Sequence, residues 1–261
     1  MPTYEFSTKT NQVLLFMDLL GFSAALLRDD TAPKDADGII VRYENVFTNV
    51  KDIYNSKDSD VKFLWMSDTL MFSTDASHFD KLLPYLFEVS NRMLAIGLPV
   101  RGAICVGNLY HEENIWGEAI ARAANAEKKV AVYPRIVVSL DDYSKLSIPA
   151  EYKKYFIGDE ENPEYIYVNT LAYELDKQIK KDKNGEGTVL SSKLNVLCKE
   201  IDENRKEEAI AKKWNWLAEQ EIKNLNERRA DIQDILKKEK EKSKIVEEFS
   251  AYIDKLSPSK K

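Results

Sequence analysis

Two periods of apolar residues run through the first two thirds of this chain. Residues 13–17, Val-Leu-Leu-Phe-Met, are an unbroken apolar run, short enough for a strand buried on both faces. The run stops at Asp18, and Gly21 follows where the backbone must turn tightly. Ser23 is placed to cap a helix opened by Ala24, Ala25, Leu26 and Leu27. A polar break containing Pro33 spans 28–37. Ile39, Ile40, Tyr43, Val46, Phe47, Val50 and Ile53 then recur at helical spacing and predict a helix ending near Asn55. Residues 56–60 read as a turn. The segments 61–66 and 69–73 predict two strands of a hairpin with Asp68 at its tip. An amphipathic helix is predicted over 79–96, ended by Gly97, and a strand over 99–106. Residues 107–115 read as an exposed hairpin or loop. Trp116-Gly117 opens a helix to about Val132. Strands at 135–139 and 165–168 complete the series.

Through 139 the order is strand, helix, helix, strand, strand, helix, strand, helix, strand. That order predicts an α+β fold with a mixed sheet. It differs from a doubly wound nucleotide fold, and neither a GxGxxG nor a Walker A loop is present. From 188 to 257 there is neither glycine nor proline. Leu190, Leu194, Leu197 and Ile201 form one helical stripe there. Trp214, Leu217, Ile222, Leu225, Ile232, Ile235 and Leu236 form a second, too irregular for a coiled-coil heptad. The chain is therefore expected to comprise a domain over 1–175, a linker over 176–187 and a helical extension over 188–261. Its last residues, from 257, are expected to fray.

Composition narrows the function classes. The chain has 261 residues, 44% of them hydrophobic, which suffices for a real core. A net charge of −6 with no basic patch argues against nucleic acid as the main partner. Cys105, Cys198, His78 and His111 lack zinc-ligand spacing and do not suggest a disulfide framework, so each reads as a core or surface residue. No apolar run reaches membrane-spanning length, and the first ten residues lack the apolar segment of a signal peptide. The expectation is a soluble cytoplasmic protein.

The candidate chemistry gathers at Asp18. A carboxylate at a strand end, beside backbone N–H groups opening a helix, can hold a metal while the amides hold phosphate. The same residues also suit a plain strand–turn–helix with Asp18 in solvent. More residues bear on the choice. Phe16-Met17-Asp18-Leu19-Leu20-Gly21-Phe22 resembles the first metal-binding motif of the class III nucleotidyl cyclases. Trp65-Met66-Ser67-Asp68 resembles the second, with serine in place of the usual glycine. Val100-Arg101-Gly102-Ala103-Ile104 through Gly107 is similar to the strand that follows. Asn114-Ile115-Trp116-Gly117-Glu118-Ala119-Ile120 resembles the start of the helix carrying that family's transition-state residues. The resemblance covers residues 13–168.

The resemblance implies a ferredoxin-like core and a reaction. A nucleoside triphosphate is turned into a 3′,5′-cyclic monophosphate and pyrophosphate. The resemblance implies two Mg²⁺ or Mn²⁺ ions per site, held by Asp18, Asp68 and the carbonyl of Leu19. Backbone amides near Gly21, Phe22 and Ser23 are expected to hold the terminal phosphates. It also implies a homodimer with two sites, each shared between chains, and a downstream effector that senses the cyclic nucleotide.

Departures from the pattern are as informative. The positions of the base-selecting lysine and aspartate are Leu64 and Asn114, and those of the transition-state asparagine and arginine are Ala121 and Asn125. The Ser-Asp hairpin and the Arg-Gly-Ala-Ile strand resemble the pyrimidine nucleotide cyclases of bacterial anti-phage systems. That implies UTP or CTP as substrate, with a lean to UTP. One alternative is a degenerate cyclase-fold module that binds nucleotide or acts as a scaffold. A divergent purine cyclase is the third reading. Leu64 offers an apolar wall, so a smaller base would be read by Asn114 or by Arg42 or Tyr43. On the helix from Gly117, Glu118, Arg122, Asn125 and Lys129 share a polar stripe, whereas Ile120, Ala123, Ala124 and Ala131 are expected to face the core. Arg122 is the first candidate to stabilise charge on the α-phosphate, and Arg101 the second. Arg122 equally suits an ordinary surface ion pair, and for Arg101 the ion pair is the favoured reading.

Overall fold

The computed structural model describes residues 8–22, 60–183, 196–197, 199–203 and 207–236, with helical residues at 41, 44, 47, 48, 50, 51 and 54. Ser23, the helix expected from Ala24, Arg42 and Tyr43 lie outside the described residues. The chain divides into two compact units, Met1–Asn169 and Thr170–Lys261.

The first unit is built on β1 (Lys9–Leu19), β2 (Lys62–Met66), β3 (Thr69–Asp75), β4 (Val100–His111), β5 (Ile115–Trp116), β6 (Ile136–Ser139), β7 (Phe156–Gly158) and β8 (Tyr165–Val168). The sheet order is β2-β3-β1-β4-β6-β8-β7, with β5 paired to β4. Among the described residues β4 and β6 run parallel and the other pairs are antiparallel. The segment β2-β3-β1-β4, with helical connections after β1 and β3, is a ferredoxin-like core. The fold is therefore α+β with a mixed sheet, as the order of periodic segments predicts.

Alternation along the strands sets the two faces. Val13, Leu15, Met17 and Leu19 of β1 share a face with Leu70 and Phe72 of β3, and all are buried. A helical layer lies on that side. It begins as a 3-10 turn (Ala76–Leu82) capped by the Asp75 carboxylate, passes through a π-helical turn (Tyr85–Val89) and ends as α1 (Ser90–Ala95). Phe72 is stacked between Phe63 and Tyr85, with ring centroids 4.6 and 4.7 Å apart. The expected single helix over 79–96 is thus three helical types in succession, which hydrophobic periodicity alone does not separate.

Asp18, Phe16 and Leu14 lie on the opposite face, beside Arg101, Ala103 and Cys105 of β4. Helix α2 (Glu118–Lys129) covers it, close to the sheet because Ala119, Ala123 and Ala126 are its buried positions. Ala124, expected in the core, is exposed, and Glu127 is buried in its stead. A second departure concerns 107–115. Strand β4 runs on to His111, whose side chain is only 6% exposed, so just 112–114 form the bend before β5. Short helices α3 (Leu140–Ser144) and α4 (Ala150–Lys153), and strand β7, lie where no element was expected.

The second unit contains α5 (Thr170–Lys183), α6 (Glu208–Glu227) and α7 (Arg229–Leu236). Helix α5 occupies the first part of the stretch expected as a linker, and the division falls at Asn169. Within this unit Arg228 pairs with Asp176, and Trp214, Leu217 and Leu225 are buried. Among the described residues no helix is long and apolar enough to cross a membrane.

Candidate active site

Asp18 is the penultimate residue of β1 and pairs in register with Thr69 on one side and Arg101 on the other. Asp68 sits in the two-residue turn between β2 and β3. The N–H of Leu19 donates to the Asp68 carbonyl at 2.9 Å, so the backbone brings together two aspartates fifty positions apart. Both are partly exposed. The turn is tight because Ser67 takes a φ of 56°, a conformation that a glycine would adopt without strain. The Trp65 indole N–H donates to the Ser67 carbonyl at 2.5 Å and braces the turn.

Leu19 itself is buried at 2% exposure. The chain then turns, with the Leu20 N–H donating to the Pro99 carbonyl at 2.9 Å. Gly21 follows at φ 81°, exposed and with nothing near its missing side chain, and Phe22 is half-buried. Among the described residues no group of three or more His, Cys, Asp or Glu side chains is arranged to hold a metal. The donors available here are two carboxylates and a backbone carbonyl. That set fits Mg²⁺, which keeps several waters and takes one or two protein carboxylates.

Arg101 reaches into this corner. Its Nε donates to Asp18 Oδ2 at 3.1 Å, and its Nη2 lies 2.5 Å from Glu127 Oε1. Glu127 is the residue on α2 that sequence reasoning missed. Its burial on the sheet side is visible only once the phase of α2 is known, which the expected burial of Ala124 had misplaced. Arg101 is thereby held against one oxygen of Asp18, where it orients that carboxylate.

Arg122 lies elsewhere. Its Nη1 donates to the Val106 carbonyl at 2.9 Å and its Nη2 to Asp142 Oδ2 at 2.6 Å. Asp142 is 1% exposed and stands in the first turn of α3, whose N-cap is Ser139; the Ser139 hydroxyl accepts from the Asp142 N–H. A serine three positions before an acidic residue is a capping signal that could have located this helix. Burial works against the Arg122 charge, but the Asp142 carboxylate outweighs it and holds the guanidinium above its ordinary pKa. The same burial, with Asp142 adding to it, pushes the Cys105 thiol up to about 12. Arg122, Asn125, Asp142 and Cys105 border a small cavity of about 130 Å³ under α2. Asn125 is exposed at its rim and Ala121 is exposed on the same helix.

Leu64 lies on β2 and Asn114 in the bend after β4, two elements joined by an ion pair. Lys62, two residues before Leu64 on the same face of β2, pairs with Glu112, two residues before Asn114. Leu64 is half-buried and Asn114 exposed. The end of β4 reaches over to β3 here, with His111 Nδ1 2.7 Å from the Ser73 hydroxyl.

Burial, reinforced by the Lys62 charge, pulls the pKa of His111 down from 6.5 to about 4, while Glu112 opposes this weakly. Between those values the unfolded chain binds a proton that the folded chain refuses. Stability from this group is therefore complete above about pH 6.5 and is lost as the pH falls towards 4. The melting temperature should accordingly drop on going from about pH 7 to about pH 5, and by clearly less in His111→Gln. Equal drops in the two proteins, followed by calorimetry, would contradict the assignment.

No family model matches this chain, and no curated protein matches it. Among solved structures it is similar to two of bacterial light-regulated adenylyl cyclases. The first is 14% identical, with a TM-score of 0.42, over 64% of this chain and 54% of the other. This chain thus spans about half the length of that structure. The second is 13% identical, with a TM-score of 0.38, over 61% of this chain and 90% of the other.

Proposed function

We propose that this chain is a class III-type nucleotidyl cyclase that converts a pyrimidine nucleoside triphosphate, UTP in preference to CTP, into its 3′,5′-cyclic monophosphate and pyrophosphate. The observation that supports the reading is the Leu19–Asp68 hydrogen bond, which brings the main chain of Asp68 against the end of β1 that carries Asp18. A pair of divalent metals, when bound, lowers the pKa of the 3′-hydroxyl and neutralises the triphosphate. Asp18, Asp68 and the Leu19 carbonyl are the groups that would hold them. Arg101, braced by Glu127, keeps the Asp18 carboxylate in one orientation. The amides of Gly21, Phe22 and Ser23 receive the terminal phosphates. The 3′-oxygen attacks the α-phosphorus in line and pyrophosphate leaves, so positioning and charge neutralisation do most of the work.

The working unit is a homodimer. Lys62 pairs with Ser73, which is in register with Leu14, four residues along β1 from Asp18, or about 13 Å of strand. By resemblance to the cyclases, one protomer supplies the carboxylates of each site and its partner the base-side residues. A cytoplasmic location, a role in anti-phage signalling and a downstream effector follow from the resemblance of the Ser67-Asp68 hairpin and the 101–104 strand to the pyrimidine cyclases.

One observation favours the reading as a binding-only module. Arg122 is engaged by Asp142 and Val106, and Asn125 stands where the family has a cation, so α2 presents a weakened charge to phosphate. The experiment that separates the readings is incubation with each of the four NTPs and Mn²⁺, followed by product chromatography. A cyclase releases pyrophosphate and a cyclic nucleotide, whereas a binding module retains the NTP unchanged.

A further inference from the structure

At the end of the sheet remote from Asp18 there is a cavity of about 360 Å³, a size that suits a small ligand or part of a nucleotide. Its walls include Lys62 of β2, Ser73 of β3, His111 and Glu112 from the end of β4, and Lys9 and Gln12 of β1. It is a built site by two independent observations. The His111 side chain is 94% buried, and its Nε2 has no hydrogen-bond partner among the described residues, although its Nδ1 is held by Ser73. A buried ring nitrogen without a partner costs stability unless something fills the position. Beside it the Lys62 ammonium, paired with Glu112, lies in the same wall.

The lining of the cavity comes within two residues of Leu64 and of Asn114 in the sequence. Lys62 is next but one to Leu64 on the same strand face, and Glu112 is next but one before Asn114. The Leu64 side chain brings no hydrogen-bond donor to this part of β2. The structure places a lysine, and a histidine, around the corner.

We propose that this cavity reads the base of the nucleotide, with the Lys62 ammonium donating to a ring carbonyl and His111 Nε2 bonding the adjacent ring nitrogen, and that this edge is uracil. The assignment rests on the cyclase reading of Asp18 and Asp68. Lysine is a donor only, so it matches the O4 carbonyl of uracil and rejects the amino group that cytosine carries there. His111 stays neutral in its buried setting, with one nitrogen a donor and the other an acceptor. With the Ser73 hydroxyl donating to Nδ1, Nε2 carries the hydrogen. With Nδ1–H donating to Ser73, Nε2 accepts the N3–H of uracil. The second arrangement completes the match to the imide edge. Ser73 thus acts as a positioning residue, setting the tautomer of His111.

The test is equilibrium binding to the full chain, with Ca²⁺, of α,β-methylene UTP and α,β-methylene CTP, which cannot cyclise. Wild type should prefer the uridine analogue by about tenfold or more, as expected where a site hydrogen-bonds the group that distinguishes its ligands. Lys62→Met, on a partly exposed side chain, should erase that preference while leaving the melting temperature near wild type. His111→Phe should weaken both analogues and, if it fails to fold, Ser73→Ala should reduce the preference by itself. Equal binding of the two analogues by wild type, an unchanged ratio in Lys62→Met, or no nucleotide binding at all would each overturn the proposal. The outcome is separable from that of the cyclase reading. A preference lost in Lys62→Met, in a chain that forms no cyclic product, keeps the base pocket and removes the reaction. Cyclic UMP synthesis with an unaffected ratio does the reverse.

Discussion

Asp68→Ala is expected to abolish cyclic nucleotide synthesis, lowering turnover by on the order of 10³-fold or more, since metal stabilisation of transition-state charge is worth several kcal/mol. Asp18→Ala should do the same. Neither change should unfold the protein. Both side chains are partly exposed at strand ends, and Asp68 is held through its main-chain carbonyl, which alanine retains. The two variants differ in one respect. Removing Asp18 also breaks its ion pair with Arg101, which then has only Glu127, so its small effect on stability should exceed that of Asp68→Ala. If each site is shared between chains, mixing Asp68→Ala protein with a variant impaired in the Leu64 and Asn114 region should restore measurable activity that neither has alone. A folded Asp68→Ala protein with full turnover would remove the two-metal assignment. The measurement is pyrophosphate release, with circular dichroism to confirm the fold.

Gly102→Ala should be the most damaging single methyl group in the first unit. A Cβ on Gly102 would lie 1.9 Å from the Phe16 carbonyl oxygen and 2.9 Å from its carbon. Both are main-chain atoms of β1, the strand between β3 and β4 at the centre of the sheet. Neither can give way without breaking the register that sets Met17 opposite Gly102 and Asp18 opposite Arg101. Overpacking of this kind, against backbone and not against a flexible side chain, should cost about 3 kcal/mol or more. The variant should show a large fall in the urea midpoint, or collect in the insoluble fraction. A midpoint within error of wild type would mean that β1 and β4 are not so closely apposed.

Contiguous, strongly periodic segments of the sequence foretold much of this architecture. The apolar run 13–17 is the buried centre of β1, and the Ser67-Asp68 turn lies where the two strand-like segments meet. Beginnings and ends were less visible. Strand β4 continues past Gly107 to His111 because its last residues are buried against β3, a tertiary contact that local polarity hides. The phase of α2 was misjudged for a similar reason. Glu127 is polar yet points inward because Arg101 receives it, and Ala124 is apolar yet exposed. Asp18 and Asp68 announce themselves by ending apolar strands. Lys62, Ser73, His111 and Asp142 do not, for each matters only through a neighbour distant in sequence.

The most direct test of the central claim is a single competition. The purified full chain is given equal concentrations of ATP, GTP, CTP and UTP with Mn²⁺, and the cyclic products are quantified by liquid chromatography and mass spectrometry. Predominant 3′,5′-cyclic UMP, with pyrophosphate in equal amount and neither product from Asp68→Ala, is the predicted result. Predominant cyclic AMP or cyclic GMP would contradict pyrimidine selection, and no cyclic product with either Mn²⁺ or Mg²⁺ would contradict the cyclase assignment itself.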